Sequence, residues 1–281
     1  MKNAFIFFSA ITLALLCYGT YQGLVVAPRE ETMGDAQRIF YYHVPSATAA
    51  YSLFFVNFVA SIVYLWKRSA RADAWAMAAA EVGIVFATAT LTLGMIWARY
   101  AWGHWWAWDM RLTTFLILWL LYVSYLVLRR SSEAGSTYVM SAALAVVVFL
   151  DVPFNYMANR WFRTNHPQPV TLDDPRMKFA LMTTMIAFLA FAALIVWFRY
   201  DIERAVQKVA ATHIRKATRS VMASIAAPAV LFFQLPELEI HRQRTFMYGG
   251  YIAAWVIYLG YLLLLMMKRS NLKKEASELA R

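Results

Sequence analysis

The sequence predicts an all-α fold, a bundle of helices that crosses a membrane several times. Hydrophobic residues make up 61% of the 281 positions and charged residues only 15%, which lies well outside the usual composition of soluble domains. The apolar residues fall in long runs, and about 20 residues of helix are enough to cross a bilayer. Basic residues concentrate in alternate links between these runs. Together these observations predict a polytopic integral membrane protein.

Six apolar runs form the expected core, which we place at residues 1–200. The runs are residues 4–26, 47–66, 76–98, 114–128, 137–153 and 177–198. The first is longer than the core of a signal peptide and lacks a convincing cleavage site, so we expect it to remain as a membrane anchor.

The distribution of positive charge predicts how the core is oriented. The links after the second, fourth and sixth runs carry groups such as Lys67, Arg130 and Arg204, and by the positive-inside rule they face the cytoplasm. The other three links are then expected to face outward together: residues 27–46, 99–113 and 154–176. Because the positive charges follow this topology and form no patch, the net charge of +11 does not indicate a nucleic-acid partner.

The C-terminal part adds a basic cytoplasmic segment, residues 201–220, and an extension, residues 221–281, with one or two more helices. The run 221–235 fits either a short crossing or an interfacial helix. The run 246–267 is long enough to cross and ends in KRSNLKK, which places its C-terminal end in the cytoplasm. That orientation requires 221–235 to cross as well.

Residues 102–113, WGHWWAWDMRLT, are the most unusual stretch of the chain. An aromatic belt at the membrane surface explains one or two tryptophans per helix end, but not four followed by two charged residues. The stretch therefore predicts a flat apolar platform with a polar rim. Its tryptophans and charged residues are Trp102, Trp105, Trp106, Trp108, Asp109 and Arg111.

Two of the five histidines have similar surroundings in the outer links. His43 follows Arg38 and two tyrosines, and His166 follows Trp161 and an arginine. Pro45 and Pro167 favour extended or turn backbone just before them, so we expect both histidines in loops. Either one alone is explained better by membrane anchoring than by a ligand role. Two of them beside four tryptophans favour a heme site, because neutral imidazole binds heme iron and the porphyrin has a large apolar face.

Other residues narrow the chemistry. The single cysteine, Cys17, excludes an intrachain disulfide, a thiolate metal cluster and a CxxCH heme-attachment motif. Glu81 is the one carboxylate well inside an apolar run, and we interpret it as a snorkelling or bundle-pairing group rather than a proton-transfer group. The sequence has no GxxxxGK[ST] run, so ATP hydrolysis would require a partner.

The tryptophan stretch matches, at every fixed position, the motif WGxWWxWDxRLT of a family of heme-handling membrane proteins. The segments RIFYYHVPSA and VPFNYMANRWFRTNHPQ extend the resemblance over roughly residues 1–200. The chain looks most like the heme exporter protein C (CcmC) branch, of the cytochrome c maturation system. The resemblance implies heme b with His43 and His166 as axial iron ligands. It also implies a porphyrin platform formed by Trp102, Trp105, Trp106 and Trp108.

Three charged residues also match family positions, namely Asp109, Arg111 and Arg38, and their roles stay open between propionate pairing, partner contact and loop capping. His104 occupies a variable position of the motif, so we interpret it as incidental, although it could compete as a ligand.

The resemblance implies a heme delivery factor rather than an enzyme. Such proteins present heme at the outer face of the bacterial inner membrane to the periplasmic chaperone CcmE, and the ATPase subunits CcmA and CcmB later release the loaded chaperone. One alternative is a lyase that joins heme directly to apocytochrome c, although such relatives are longer and carry additional histidines. Another is a transporter that moves heme across the bilayer, although the apolar runs offer few polar residues for a path.

The C-terminal extension departs from the family pattern. MYGGYIAAWVIYLGYLLLLMMKRSNLKK resembles the small single-helix subunit CcmD, so a fusion of the two proteins is one interpretation. The other is an unrelated helical hairpin that packs on the bundle.

Overall fold

The computed structural model describes residues 2–130, 136–166, 172–213 and 243–279. Within these ranges the chain forms helices and no β-strand, apart from an isolated bridge between Glu30 and Gly34. Seven helical segments of the described chain are long and apolar enough to cross a membrane. The predicted all-α membrane bundle is confirmed.

The described residues form eight α-helices. They are α1 (Lys2–Tyr21), α2 (Phe40–Lys67), α3 (Ala70–Trp102), α4 (Met110–Arg130), α5 (Ser136–Phe149), α6 (Asp151–Trp161), α7 (Pro175–His213) and α8 (Gln243–Leu279). A π-helical turn, Gln22–Val26, continues α1, and a 3-10 turn, Asp35–Ile39, leads into α2. α7 passes residue 200 without a break.

The predicted loop around His43 is wrong. α2 begins at Phe40 and has Pro45 inside it, so His43 lies on helical backbone. Pro45 lies in the second turn of the helix, where it removes a single helical hydrogen bond, the one that the carbonyl of Tyr41 would accept. The preference of a residue before proline for extended backbone did not prevail here, because the 3-10 turn Asp35–Ile39 had already started the helix before Pro45.

The end of the fifth predicted helix also differs. We predicted one helix over residues 137–153 and an outer link after it, but α5 and α6 meet at Leu150 and helical backbone continues to Trp161. The buried face of α6 includes Asn155, which is fully buried. A helix that buries an amide does not register as an apolar run, so the prediction ended the helix about two turns early.

Small residues let α2 and α3 approach closely in the centre of the bundle. Ala79 and Ala80 of α3 are fully buried, and a Cβ on Gly83 would lie 2.6 Å from the ring of Phe54 in α2. Phe54 in turn stacks on Tyr122 of α4 with ring centroids 3.7 Å apart. Close helix packing of this kind is the main source of association inside a membrane, where apolar burial alone gives little.

Buried ion pairs hold the end of the bundle away from His43. Arg199 of α7 is fully buried and donates to Glu81 at 2.9 Å and to Glu203 at 2.8 Å. Arg129 pairs with Asp73 at the same end. The structure thus places Glu81 in a bundle-interior pair, one of the two roles interpreted from the sequence.

α8 attaches to the core through three tyrosines that share one helix face. Tyr251 donates to the main-chain carbonyl of Arg38 at 2.7 Å, Tyr258 bonds Ser46 at 2.8 Å, and Tyr261 donates to Glu81 at 3.0 Å. α8 therefore runs from the end of the bundle that carries His43 to the end that carries Arg199. The question whether 221–235 crosses the membrane concerns residues outside the described part of the chain.

Candidate functional site

A pocket of about 590 Å³ opens at the end of the bundle that carries His43. Its volume lies within the range of small-molecule sites. The wall is mainly apolar, as a porphyrin face requires. Residues from α2, α3, α4, the tryptophan stretch and the link before α7 contribute to it, among them Phe40, His43, Leu91, Met95, Trp102, Trp106, Phe115, His166 and Met177.

His43 and His166 both line this pocket, and their ring centroids lie 6.4 Å apart. Imidazole nitrogens bind first-row metals at about 2 Å, so two rings on opposite sides of one metal ion have centres roughly 6 Å apart. The observed separation suits a single iron between them. His43 comes from α2 and His166 from the loop after α6, so the fold joins residues that are far apart in sequence.

The two histidines of the pocket suit an iron whose other ligands come from a porphyrin. Among the described residues, no group of three or more histidine, cysteine, aspartate or glutamate side chains could hold a metal ion. Two imidazoles complete the coordination of an iron whose other four ligands come from a porphyrin. The pocket therefore fits heme better than a free cation.

The structure divides the four tryptophans into two pairs. Trp102 and Trp106 line the pocket, whereas the side chains of Trp105 and Trp108 are 47% and 79% exposed. The buried Nε1 of Trp106 has no hydrogen-bond partner within the described chain, and a buried donor of this kind is suited to an acceptor on a ligand. Only one pair is thus placed to contact a porphyrin in this pocket.

His104 lies apart from the two pocket histidines. Its side chain is exposed, and its ring centroid lies 6.0 Å from that of Trp102. It does not line the pocket. A ring in this position packs on the outer side of the tryptophan stretch.

Asp109 joins the tryptophan stretch to the loop that carries His166. One carboxylate oxygen accepts the N–H of Leu112 at 2.9 Å, which caps the start of α4. The other accepts the N–H of Asn165 at 3.0 Å, one residue before His166. Of the roles open to Asp109, loop capping is the one that these contacts display.

Arg111 makes the second connection between α4 and α6. Its guanidinium donates to the carbonyl of Asn155, whose side-chain amide donates back to the carbonyl of Arg111 at 2.9 Å. The same amide donates to Thr114 and accepts from Tyr51 of α2. Arg111 also lines the pocket, so it combines a structural contact with positive charge at the pocket wall.

Arg38 does not line the pocket. Its guanidinium donates to the carbonyls of Gly23 and Leu24 at 2.9 and 2.8 Å and lies 3.3 Å from Asp35. These contacts close the end of the π-helical turn after α1. Among its possible roles, loop capping is again the one the structure displays.

Sequence reasoning missed three residues that position the histidines. The carbonyl of Thr90 lies 3.1 Å from Nδ1 of His43, and Gly94 leaves room for the His43 ring, since a Cβ there would lie 3.1 Å from Cε1. The amide of Asn159 lies 3.3 Å from Nδ1 of His166. For Asn159 a signal was present, because Asn155 and Asn159 are four residues apart and so share a helix face.

Charged residues surround the mouth of the pocket. Arg29, Glu30, Glu31, Asp173 and Asp174 all contribute to it. Hydrogen bonds from Arg176 lower the pKa of Asp174 below its usual range, so this carboxylate stays ionised. The mouth therefore carries charges of both signs, with acidic groups in the majority.

The fold and the site define a class of protein: multi-pass, all-helical membrane proteins with two histidines and a tryptophan stretch around one open pocket. The sequence profile of heme exporter protein C matches residues 1–220. The chain belongs to the heme exporter protein C family.

Individual relatives agree with the profile. Heme exporter protein C of Haemophilus influenzae is 30% identical over 203 residues, which cover 70% of this chain and 82% of that protein. The protein of the same name from Bradyrhizobium diazoefficiens is 35% identical over 165 residues, or 58% of this chain and 62% of that protein. The protein of the same name from Escherichia coli K12 is 29% identical over 186 residues, which cover 65% of this chain and 76% of that protein.

Proposed function

We propose that this protein binds heme b between His43 and His166 and delivers it to the periplasmic heme chaperone CcmE for c-type cytochrome biogenesis. The observation that carries the proposal is the pair of imidazoles, 6.4 Å apart, in one pocket beside Trp102 and Trp106. The name of the relatives, heme exporter protein C, agrees with a role in heme handling.

Each part of the pocket has a task in this function. The two imidazoles hold the iron, and the indoles of Trp102 and Trp106 contact the porphyrin face. Arg29 and Arg111 supply positive charge at the pocket wall for the propionates. Trp105 and Trp108 are exposed beside the pocket and offer an apolar surface for the partner that receives the heme.

We infer a delivery role rather than an enzymatic one from the ligand set. Iron with two imidazoles and four pyrrole nitrogens has no open coordination position for a substrate. Such a site stores heme, and transfer requires one bond to a histidine to break. The energy of ATP hydrolysis would come from partner subunits. We propose CcmA and CcmB as this ATPase pair.

The proposed orientation places the site on the periplasmic side of the inner membrane. Arg129, Arg130, Arg199 and Lys268 lie at the opposite end of the bundle, and by the positive-inside rule that end faces the cytoplasm. The mixed charge at the pocket mouth is compatible with the outer side.

We also propose that residues 221–281 perform the task of a CcmD-like subunit. The family profile ends at residue 220, and α8 lies beyond it while bonding the core through Tyr251 and Tyr258. Truncation after Lys216 is expected to abolish chaperone loading and to be rescued by the separately expressed extension. Unchanged loading without any small subunit would refute the fusion.

The transfer test uses the full-length membrane protein from heme-replete cells together with a tagged periplasmic chaperone. We expect the chaperone to co-purify with the wild type and to acquire covalently bound heme, and we expect the His43→Ala variant and the His43→Ala/His166→Ala double variant to transfer at least tenfold less, as loss of a metal ligand does. His104→Ala is the matched control and should transfer normally. Direct labelling of apocytochrome c without the chaperone would instead favour the lyase alternative.

A further inference from the structure

We propose that the two histidines have unequal roles. His43 stays bound to the heme iron, His166 dissociates from it when heme is released, and Asn159 controls this dissociation through its hydrogen bond to His166. The inference rests on the proposed heme function and adds an order of events to it. The two histidines differ in the group that faces Nδ1. The hydrogen bond at Nδ1 determines which of the two ring nitrogens carries the proton, and therefore whether Nε2 can bind iron.

His43 is held in one tautomer. Its Nδ1 lies 3.1 Å from the carbonyl oxygen of Thr90, which can only accept a hydrogen bond, so Nδ1 carries the proton. The lone pair of Nε2 is then always available to iron. His43 lies on the helical backbone of α2, and its ring occupies space beside Gly94 of α3, where a Cβ would lie 3.1 Å from Cε1.

His166 has a partner of a different kind. Nδ2 of Asn159 lies 3.3 Å from Nδ1 of His166. An amide can donate through nitrogen or accept through oxygen. When Nδ2 donates, Nδ1 is an acceptor and the proton sits on Nε2, which then has no lone pair for iron. When the amide turns by half a rotation, its oxygen accepts from Nδ1 and Nε2 becomes a ligand.

The backbone of His166 supports the same assignment. It lies in the loop after α6, where the N–H of Asn165 donates to Asp109 of the tryptophan stretch, whereas His43 lies inside a helix. Loop backbone absorbs a small displacement more easily than helical backbone.

Release at His166 is a ligand dissociation with no change in iron oxidation state. The bond from iron to Nε2 breaks, and the electron pair stays on Nε2, which takes a proton from water. Nδ1 returns its proton to water and accepts the N–H of Asn159. Iron keeps its bond to His43 and gains an open position, which the receiving protein can fill.

The test is heme transfer from the purified, heme-loaded protein to apomyoglobin, with absorbance reporting both transfer and iron spin state. Asn159→Asp replaces the amide by a group that only accepts, so His166 should stay a ligand. We expect about tenfold slower transfer with the low-spin spectrum retained.

The matched control is Asn271→Asp, which makes the same amide-to-carboxylate change at an exposed position of α8, near the end of the bundle that carries Arg199. It should transfer heme at the wild-type rate. Equal slowing in Asn159→Asp and Asn271→Asp, or no slowing in Asn159→Asp, would overturn the inference.

Single ligand variants separate this inference from the proposed function. We expect His166→Ala to keep a five-coordinate heme and His43→Ala to lose most of its heme during purification. Equal retention in both would refute the inequality and leave the heme site intact. A spectrum that neither substitution changes would refute the heme site itself.

Discussion

The ring of His43, the proposed iron ligand, shows how this fold positions a single side chain. It is set by a carbonyl of α3 on one edge and by the missing side chain of Gly94 on another. Neither contact involves a charged or reactive group. The position of this ring therefore depends on the packing of α3 against α2 as well as on the histidine itself.

Gly94→Ala is expected to weaken heme binding although it leaves both histidines in place. The added Cβ would lie 3.1 Å from Cε1 of His43, which forces the ring to move. Overpacking of this size costs about 1 to 3 kcal/mol, so heme affinity should fall about tenfold or more. Titration of the purified variant with heme measures this fall in affinity.

Gly260→Ala provides the control, because a Cβ there meets nothing within 4 Å. It makes the same chemical change in α8, and it should bind heme like the wild type. Equal losses in the two variants would show that the effect is not local to His43.

The two histidines of the proposed iron site could be chosen from the sequence, but the residues that orient them could not. The sequence indicated His43 and His166 because imidazole binds heme iron, both residues have aromatic neighbours, and the tryptophan motif accompanies them. Thr90 and Gly94 carry no such signal, since their roles depend on α3 lying against α2 at one particular register. The division of the tryptophans into a pocket pair and an exposed pair was unpredictable for the same reason.

At the scale of elements, the site depends on how α4 begins. Asp109 caps this helix and binds the loop that carries His166 with the same carboxylate. The motif residues Asp109 and Arg111 thereby hold α6 and its loop beside the tryptophans.

Asp109→Ala should loosen the His166 loop without unfolding the bundle. Loss of a helix cap costs about 1 kcal/mol, and loss of the contact to Asn165 should raise the high-spin fraction of bound heme. Ser69→Ala is the control, because it removes a comparable cap at the start of α3, where Ser69 accepts the N–H of Ala72 and does not line the pocket. A spin state altered by both substitutions alike would contradict the specific role of Asp109.

Helix bounds were predicted well where hydrophobicity alone determined them and poorly where it did not. Residues 177–198 lie within α7 as expected. The start of α2 was missed because a proline was taken as a boundary, and α6 was missed because its buried face contains Asn155. Both errors fall beside the pocket, where a proline in α2 and a buried amide in α6 interrupt the apolar pattern.

At the scale of the whole molecule, the two ends of the bundle have different tasks. The end with Arg199 is held by buried ion pairs that join α3, α7 and α8, and the end with His43 holds the pocket. The sidedness of the links was predicted from the positive charges, and the histidines do lie together. The pairing of Glu81 with Arg199 was not predictable, because it joins residues that are 118 positions apart.

Glu81→Gln is expected to destabilise the fold while leaving the spectrum of bound heme unchanged. It removes the charge that pairs with Arg199, whose side chain is only 1% exposed. Breaking a buried ion pair on one side costs about 3 kcal/mol or more. Thermal unfolding in detergent measures the loss. A second substitution, Arg199→Met, should recover part of it, and a further loss in the double variant would contradict the pairing.

The central claim is that one iron is bound by both His43 and His166, and the most direct measurement is the electron paramagnetic resonance spectrum of the purified ferric protein. We expect a low-spin signal typical of two imidazole ligands. Each single alanine variant should convert it to a high-spin signal or lose heme, and the double variant should bind none. A low-spin signal that survives in the His43→Ala/His166→Ala variant would contradict the account.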